Sequence, residues 1–515
     1  MSVHDPLDIA SRYKDPTLNL ALDTMDRGKQ ALIFVSSKRS AEKVALDVAA
    51  KKEEKHPELA KAILSALSQP TEQCRKLAKA VARGIAFHHA GLAPKQKSLV
   101  EDAFRDGIIK IISCTPTLAA GLDMPAFRTI IRDLKRFSGR WGMQYIPVLE
   151  YQQMAGRAGR PGKEEYGEAI CIASDQGDKD TIIHTFLRAD VEPIYSKLAV
   201  EPVLRTYVLS LVASGFVANK ADLIDFFSQT FWARQYGDMH KLETIISRVQ
   251  RMLQKYGFLE GGKSSEDELG FSTGTDLLEE QDPAAPLKAT PLGQRVAQLY
   301  LDPLTAHGIC QGLMTEKQPH EMAYLQLLCD TLEMQPLLRV GKREVEAIED
   351  QISLYKDAFF TEEPSFFDMD YQEYLNSIKT ALCMRDWIDE AGENLLLERY
   401  SIRPGELRGK LERLDWLFYC ATELAKATSA KKHVGALFRM RTRLKHGARA
   451  ELLPLLRFRN IGRVRARKLF SQGLEDSGDL RSISIERLSG IVGEKIAQGI
   501  KEQLGEQKAD FSPLS

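Results

Sequence analysis

The chain has 515 residues, which is too long for one ordinary core and suggests roughly three or four domains. Hydrophobic residues make up 43% and charged residues 28%, a globular composition, and no apolar run is long enough to span a bilayer. Lysine and arginine (71) balance aspartate and glutamate (71), so the totals exclude a strongly basic or acidic protein.

Cysteine usage and the N-terminus indicate the compartment. The seven cysteines are scattered without a C-x-x-C pair, which fits a reducing environment and argues against a zinc site or a disulfide framework. The stretch MSVHDPLDIA has no signal-peptide core. We therefore expect a soluble, cytoplasmic protein.

The first third of the chain alternates strand and helix signals. Short apolar runs separated by helical periodicity are typical of a parallel sheet buried on both faces. The predicted strands are ALIFV (31–35), GIAFHH (84–89), IIKIISC (108–114), TIIRD (129–133) and EAICIAS (168–174). We predict an α/β domain over about residues 1–180, followed by mostly amphipathic helices.

A β-hairpin is predicted over residues 130–151, where two extended runs flank the turn SGRWG. Its tip carries basic and aromatic side chains: Lys135, Arg136, Phe137, Arg140 and Trp141. Aromatic rings at such a tip can replace lost base stacking. An ordinary hairpin that packs its own aromatic side chains is the alternative.

The stretch YQQMAGRAGRPG is the most specific pattern in the chain. Arg157 and Arg160 are three residues apart and would share one face of a helix. Gly156 and Gly159 leave that surface bare for another domain, and Gln153 offers an amide one turn earlier. Guanidinium groups presented in this way suit phosphates and can stabilise a transferring phosphoryl group. A solvated basic turn is the alternative.

A second phosphate-binding pattern, G-x-x-x-x-G-K-S, runs from Gly257 to Ser264. A working phosphate loop lies between a buried strand and a helix. Here the helical stretch LETIISRVQRMLQKY precedes the pattern and the acidic stretch SEDELGFSTG follows it. We interpret the match as a loop that enters the wing of a winged helix. No apolar strand ends in a D-E-x-H or D-E-x-D motif, so we predict no metal site in this chain.

The balanced charge hides a basic block from Lys431 to Lys468, in which Glu451 is the only acidic residue. Residues 264–282 and 359–374 are acidic in contrast. This asymmetry predicts one polyanion-binding face.

The C-terminal tail places glycine turns between apolar helical segments in NIGRVRARKLF and LSGIVGEKIAQGI. Backbone amides at such a turn, with Arg463, Arg465 and Arg467 beside them, suit the phosphate backbone of a nucleic acid. A solvated helix face is the alternative. If the arginines bind phosphates, affinity should fall steeply with salt.

These motifs resemble those of superfamily 2 helicases. Q-x-x-G-R-A-G-R is similar to motif six, SCTPTLAAGLDMPA (113–126) to motif five, and ALIFVSSKRSAE (31–42) to motif four. FHHAGL (87–92) resembles a further segment of the same second RecA-like domain. The sequences TLAAG and MAGRAGRPG resemble those of the Ski-like group, and within it those of the archaeal fork-repair DNA helicases related to the polymerase-theta helicase. The resemblance covers nearly the whole chain.

The resemblance implies an ATP site, with Mg²⁺, shared between two RecA-like domains. Gln153, Arg157 and Arg160 would face the ATP, with Arg160 as the arginine finger. Gly121 and Asp123 would couple the nucleotide to DNA, and the family usually has asparagine at the position of Asp123.

The resemblance also implies DNA contacts in the same domain. Ser36, Arg39, Thr115 and Thr117 would touch phosphates, although serines and threonines near strand ends also serve as turn caps. The hairpin would act as the pin that separates duplex strands, with Arg136, Phe137 and Trp141 near its tip.

Further along the chain, Trp416 would lie on a ratchet helix and stack on a base, with a core tryptophan as the alternative. The family has an arginine two turns before this tryptophan. Here that position is Gly409, flanked by Arg408 and Lys410, and Arg408 is the candidate DNA contact.

Four domains follow from the resemblance. They are a second RecA-like domain (1–185), a winged-helix domain (186–302), a Sec63-like helical ratchet domain (303–430) and a C-terminal helix–hairpin–helix domain (431–515). The predicted fold is therefore an α/β RecA-like domain followed by mostly helical domains.

The predicted function is that of the C-terminal portion of an ATP-dependent DNA helicase. It would move 3′ to 5′ in replication-fork repair, as a nucleoid-associated monomer that binds single-stranded and forked DNA. We expect hydrolysis to need a first RecA-like domain, in cis or in trans, which we do not find in this sequence. The face of the sheet that meets it should be unusually exposed. The alternatives are a non-catalytic nucleic-acid-binding protein and an RNA helicase of the same group.

Overall fold

The computed structural model describes residues 8–67, 69–121, 124–137, 142–159, 162, 164–198, 200–261, 284–317 and 320–509. The chain divides into two compact units. The first comprises Met1–Ile194 and Gly392–Gly409, and the second comprises Tyr195–Ala391 and Lys410–Ser515.

The first unit is built around a parallel sheet, as the apolar runs predict. Its strands are β1 (Ala31–Phe34), β2 (Ile85–His88), β3 (Ile111–Cys114), β4 (Arg128–Ile131), β5 (Lys135–Phe137), β6 (Met143–Tyr145) and β7 (Glu168–Cys171). Five of them form a parallel sheet in the order β2-β3-β1-β4-β7, whereas β5 and β6 form the predicted antiparallel hairpin.

Every residue of β1, β2, β3 and β4 is buried, and only the edge strand β7 is partly exposed. The expectation of an exposed sheet face is therefore wrong for the described strands. Leucine, isoleucine and valine side chains of the sheet and of the surrounding helices form one continuous core.

Helices connect the strands of the first unit. They are α1 (Pro16–Asp26), α2 (Lys38–Ala49), α3 (Pro57–Leu64), α4 (Glu72–Val81), α5 (Pro94–Arg105), α6 (Thr117–Gly121), α7 (Val148–Ala155) and α8 (Gln176–Ile182), the last continued by a π-helical turn (Ile183–Leu187). Asp15, Ser37 and Thr71 cap α1, α2 and α4 with side-chain oxygens that accept backbone N–H groups.

The second unit begins with helices and one small hairpin, as the loss of strand signals predicts. The elements are α9 (Glu201–Ala213), α10 (Lys220–Ser228), α11 (Phe231–Tyr236), α12 (Met239–Lys255), β8 (Leu259–Gly261), β9 (Leu287–Ala289), α13 (Pro291–Leu299), α14 (Pro303–Leu313), α15 (Glu321–Cys329), a 3₁₀ turn (Leu332–Met334), α16 (Val345–Tyr355) and α17 (Tyr371–Ile388). Strands β8 and β9 pair antiparallel.

The remaining elements are all helical. They are α18 (Glu393–Tyr400), α19 (Pro404–Ala427), a 3₁₀ turn (Lys431–His433), α20 (Val434–His446), a 3₁₀ turn (Ala450–Leu452), α21 (Leu453–Leu456), α22 (Arg463–Phe470), α23 (Ser477–Ser482), α24 (Ile485–Val492) and α25 (Glu494–Ala509). Helix α18 and the start of α19 belong to the first unit. No helix in the described ranges is long and apolar enough to cross a membrane.

Candidate nucleic-acid and nucleotide sites

Five predicted DNA contacts of the first unit line one groove of about 560 Å³. The residues in question are Ser36, Arg39, Thr115, Thr117 and Arg136. Loops that follow parallel strands meet at the carboxyl edge of the sheet, which is where ligands bind in open α/β folds. Ser36 follows β1, and the two threonines follow the neighbouring strand β3. The strand order therefore explains why these side chains converge.

Hydrogen bonds fix the hydroxyl groups of the groove. The backbone N–H and the hydroxyl of Ser36 both donate to Oδ2 of Asp133, at 2.9 and 3.0 Å. The Oγ1 atoms of Thr115 and Thr117 share a hydrogen bond at 2.9 Å. The helix cap at this position is Ser37 rather than Ser36, because the Ser37 oxygen accepts the Ser40 N–H at 3.1 Å.

The cations of the groove differ in how they are paired. Arg136 donates to both carboxylate oxygens of Glu150, at 3.0 and 2.9 Å. Lys38 pairs with Glu406. Arg39 is exposed and forms no ion pair or hydrogen bond with the residues that the structure describes. A phosphate can therefore bind Arg39 without displacing an internal partner.

A buried cluster lies beneath the groove. Arg403, which lines the groove, donates through Nε to Glu42 at 3.0 Å. The His89 ring is fully buried, with Nε2 3.4 Å from Glu42, and its Nδ1 accepts the Gly91 N–H at 3.1 Å. Burial lowers the pKa of His89 below its usual range, and the adjoining Glu42 opposes that shift.

Asp133 and Arg403 also line the groove, and neither is predicted from the sequence patterns above. The sequence does indicate Asp133, because it stands two residues after the apolar run of β4, where strand-end loops carry polar side chains. Arg403 had none, because it lies far along the chain in a segment that returns to the first unit.

The predicted helical face of Arg157 and Arg160 is wrong for Arg157. Helix α7 ends at Ala155, and Arg157 lies in the turn that follows. Gly159 has φ +90°, a left-handed conformation that interrupts any helix and favours glycine. Arg160 lies outside the described residues, as do Asp123 and Trp141.

Gly159 makes close backbone contacts inside the first unit. A Cβ added to Gly167 would come 2.1 Å from the Gly159 nitrogen, so the two glycines allow adjacent backbones to touch. The Gly159 N–H also donates to the carbonyl of Ala126 at 2.7 Å. These contacts hold the turn of motif six against the segments that precede β4 and β7.

A side chain of motif six also contacts motif five. The Arg157 guanidinium donates to the carbonyl of Ala119 at 2.5 Å. Ala119 lies in α6, which begins at Thr117 in the groove and ends at Gly121. The five-residue helix α6 thus connects the groove to the turn that carries Arg157.

The donors in motif six fit phosphate groups. Gln153 on α7 is exposed, and its amide has no hydrogen-bond partner within the described ranges. Arg157 supplies a guanidinium one turn away. The described residues do not offer a metal site, because they contain no group of three His, Cys, Asp or Glu side chains that could hold a metal ion. These residues therefore fit the phosphates of ATP but not its Mg²⁺.

The hairpin ends in exposed apolar side chains. Phe137 is 65% exposed and Met143 opposite it is 59% exposed. Lys135 lies over the Tyr145 ring at 4.4 Å, nearer the base of the hairpin. The hairpin therefore does not pack Phe137, and only its tip, which includes Trp141, lies outside the described ranges.

On α19 the predicted contacts fall in different environments. Trp416 is half-buried, Arg408 is exposed, and Lys410 is buried. Lys410 donates to the carbonyl of Pro336 at 2.6 Å. Lys410 is thus a structural residue, which leaves Arg408 as the basic side chain next to Gly409.

The three arginines of the tail differ in their contacts. Arg467 is held by Glu390, at 2.9 and 2.5 Å, and by Glu451 at 2.8 Å. Arg463 lies over the Trp387 ring at 4.6 Å. The three arginines therefore lie in different environments, because Arg463 and Arg467, four apart on α22, face the protein while Arg465 between them is exposed.

The pattern G-x-x-x-x-G-K-S has a helix before it. Gly257, with φ +72°, follows α12, and β8 comes next. Gly262, Lys263 and Ser264 lie outside the described residues. The described flank agrees with a turn before a hairpin and lacks the buried strand that a phosphate loop requires.

Two family models match the chain. "Helicase conserved C-terminal domain" matches residues 14–162, and "Archaeal helicase, domain 4" matches residues 322–447. The first match contains all the helicase motifs named above, and the second contains α15 to α20 except for the first residue of α15.

Three curated relatives bear the name "ATP-dependent DNA helicase Hel308". The chain is 37% identical to the protein of Methanocella arvoryzae over 513 residues, 36% identical to that of Pyrococcus abyssi over 500 and 35% identical to that of Methanococcus vannielii over 528. These matches cover 97%, 95% and 96% of this chain. They span 66% of the length of the first two relatives and 68% of the third.

Proposed function

Because this chain belongs to the Hel308 family of archaeal superfamily 2 DNA helicases, we propose that it supplies the second motor domain and the DNA-handling domains of an ATP-dependent helicase. The helicase moves 3′ to 5′ on single-stranded DNA and acts on forked substrates during fork repair. It works as a monomer, and its locations are the cytoplasm and the nucleoid.

The convergence of Ser36, Arg39, Thr115, Thr117 and Arg136 on one groove carries this proposal. Hydroxyls at the ends of neighbouring strands suit a phosphate backbone, as does Arg39, which has no partner among the described residues, and neither reads sequence. The exposed Phe137 gives the adjacent hairpin an apolar surface that can pack on an unstacked base pair.

ATP with Mg²⁺ is the proposed cofactor, and hydrolysis of its terminal phosphate supplies the energy for movement. Gln153, Arg157 and Arg160 hold its phosphates from this chain, with Arg160 as the arginine finger. Gly121 and Asp123 lie on the path between nucleotide and DNA, which the bond from Arg157 to α6 supports. A first RecA-like domain, in this polypeptide or another, provides the metal ligands and the phosphate loop.

We propose the finer domain division on similar grounds. The pair β8 and β9 after α12 supports a winged helix within residues 186–302, and the domain 4 match supports a ratchet domain within 303–430. Gly493, with φ +91° between α24 and α25, supports a helix–hairpin–helix domain within 431–515.

An Arg39→Ala variant tests the groove. We expect its affinity for single-stranded DNA to fall about three- to tenfold, and the slope of log affinity against log salt to fall by about one, because one phosphate contact is lost. Lys55→Ala is the control, since exposed Lys55 lies beside Ala82 at the amino end of β2. Fluorescence anisotropy at several salt concentrations measures both quantities.

Equal losses in the two variants would mean that the groove does not hold DNA. Binding without any hydrolysis, even with a first RecA-like domain added, would favour the non-catalytic alternative. Tighter binding to RNA than to DNA of the same sequence would favour an RNA helicase.

A further inference from the structure

We propose that one open face of α20 is a further binding site for single-stranded nucleic acid, with the Phe438 ring as a stacking platform for a base. This inference rests on the proposed function, because it adds a contact for the same ligand. Phe438 is 64% exposed in the middle of a regular helix that runs from Val434 to His446. Most of the ring surface is therefore open to solvent and can stack on a base.

The face is defined by helical spacing. Gly435, Phe438, Arg439, Thr442 and Lys445 lie three or four residues apart, or directly beside one another, and each is exposed or half-exposed. The opposite side of α20 is buried through Leu437, Met440, Arg443 and Leu444.

The cations of α20 differ in how they are paired, and Arg441, three residues after Phe438, borders the open face. Arg441 is paired with Asp415 at 3.0 and 2.9 Å, and buried Arg443 is paired with Glu321 and Asp389. Arg439 and Lys445, on the open face, form no ion pair or hydrogen bond within the ranges that the structure describes. The open face therefore presents unneutralised positive charge on both sides of the ring.

The platform is rigid. The Trp387 indole donates to the carbonyl of Leu444 at 2.8 Å and covers the Gly447 cap, where an added Cβ would lie 2.6 Å from the indole ring. Just before the helix, His433 Nδ1 and the Tyr324 hydroxyl share a hydrogen bond at 2.7 Å. A ring on a fixed helix loses little conformational entropy when a base stacks on it.

Charge favours a nucleic acid over a protein as the occupant. No aspartate or glutamate occurs in α20, so a protein partner would have to supply the counter-charges of Arg439 and Lys445. Single-stranded nucleic acid supplies both a phosphate for each cation and a planar base for the ring. The Thr442 hydroxyl donates to the Phe438 carbonyl at 3.0 Å, which leaves stacking and charge as the means of recognition.

A Phe438→Ala variant of the full chain tests the site. We expect about tenfold weaker binding to an oligo-dT strand, because base stacking is lost. Binding to an abasic strand of the same length should not change, since that strand has no base to stack. Phe438→Trp should restore oligo-dT binding. Phe367→Ala is the matched control, because Phe367 is 90% exposed but lies beside Asp368 in an acidic loop.

The Arg39→Ala variant in the same titration separates the two proposals. Normal oligo-dT binding by Phe438→Ala, with weakened binding by Arg39→Ala, overturns the α20 site and leaves the proposed function standing. An equal loss of affinity for oligo-dT and abasic strands would show that Phe438 does not stack on a base. A change in self-association by sedimentation, with DNA binding intact, would make this face a protein interface instead. No DNA binding by the unaltered chain would refute the proposed function, and the inference with it.

Discussion

At the scale of single residues, the partner of a charge decides what the charge can do. Arg463, Arg465 and Arg467 look equivalent in the sequence. In the structure, Arg467 is fixed by two glutamates, which raise its pKa, and Arg463 covers an indole. Arg465 bonds only to the Asn460 carbonyl among the described residues and stays exposed. Arg465 is therefore the member of the three that is open to a phosphate.

A buried histidine makes stability depend on pH. Burial lowers the pKa of His89, so the folded chain stays neutral at this ring where the unfolded chain already binds a proton, below about pH 6.5. Stability should therefore fall as the pH drops below 6.5, by up to about 1.4 kcal/mol per pH unit for this one group. We expect His89→Gln, whose amide can still accept the Gly91 N–H, to flatten this slope in urea denaturation between pH 5.5 and 7.5.

The control for this prediction is His184→Gln, because the His184 side chain is exposed. If His89→Gln and the unaltered chain lose stability in parallel as the pH falls, the neutral state of buried His89 is not what sets the slope.

At the scale of elements, the first turn of α19 is held against the FHHAGL segment of the first unit. The Gly405 N–H donates to the Gly91 carbonyl at 3.1 Å, and a Cβ on Gly405 would lie 2.4 Å from the carbonyls of Ala90 and Leu92. This contact brings Arg403 to the groove. Backbone atoms cannot move aside as a flexible side chain can, so glycine is required here.

We expect Gly405→Ala to destabilise the protein by about 1–3 kcal/mol through overpacking. Gly409→Ala, one turn along the same helix, should be neutral or stabilise it by up to about 1 kcal/mol, because nothing lies within 4 Å of its added Cβ and alanine favours a helix. Thermal denaturation compares the two. Equal melting temperatures would contradict the close contact at Gly405.

At the scale of the whole molecule, the sequence predicts what local patterns control. The five sheet strands, the hairpin and the convergence of motif loops follow from apolar runs and from the rule that parallel strands present their loops at one edge. The interruption of the helix before Arg157 was also readable, because Gly156 and Gly159 flank that arginine.

Long-range partners could not be predicted in this way. Each of three cations has a partner from a separate segment, and the sequence around the cation does not indicate that partner. The pairs are Arg136 with Glu150, Arg467 with Glu390, and Lys410 with the Pro336 carbonyl. Their effect is large, because an ion pair or burial removes a cation from the surface that DNA can reach. The sequence therefore locates the motif-four segment and the basic block from Lys431 to Lys468. The structure identifies Arg39 in the first, and Arg439 and Arg465 in the second, as the arginines open to a phosphate.

The most direct test of the account is ATP hydrolysis in the presence of single-stranded DNA. The chain is assayed alone and mixed with a separately expressed first RecA-like domain from one of its relatives, with Arg160→Ala and Lys263→Ala as variants. We predict hydrolysis only in the mixture, lost by about 10³-fold or more in Arg160→Ala and kept in Lys263→Ala. Hydrolysis by this chain alone that disappears in Lys263→Ala would contradict the account, because it would move the ATP chemistry to the pattern between Gly257 and Ser264.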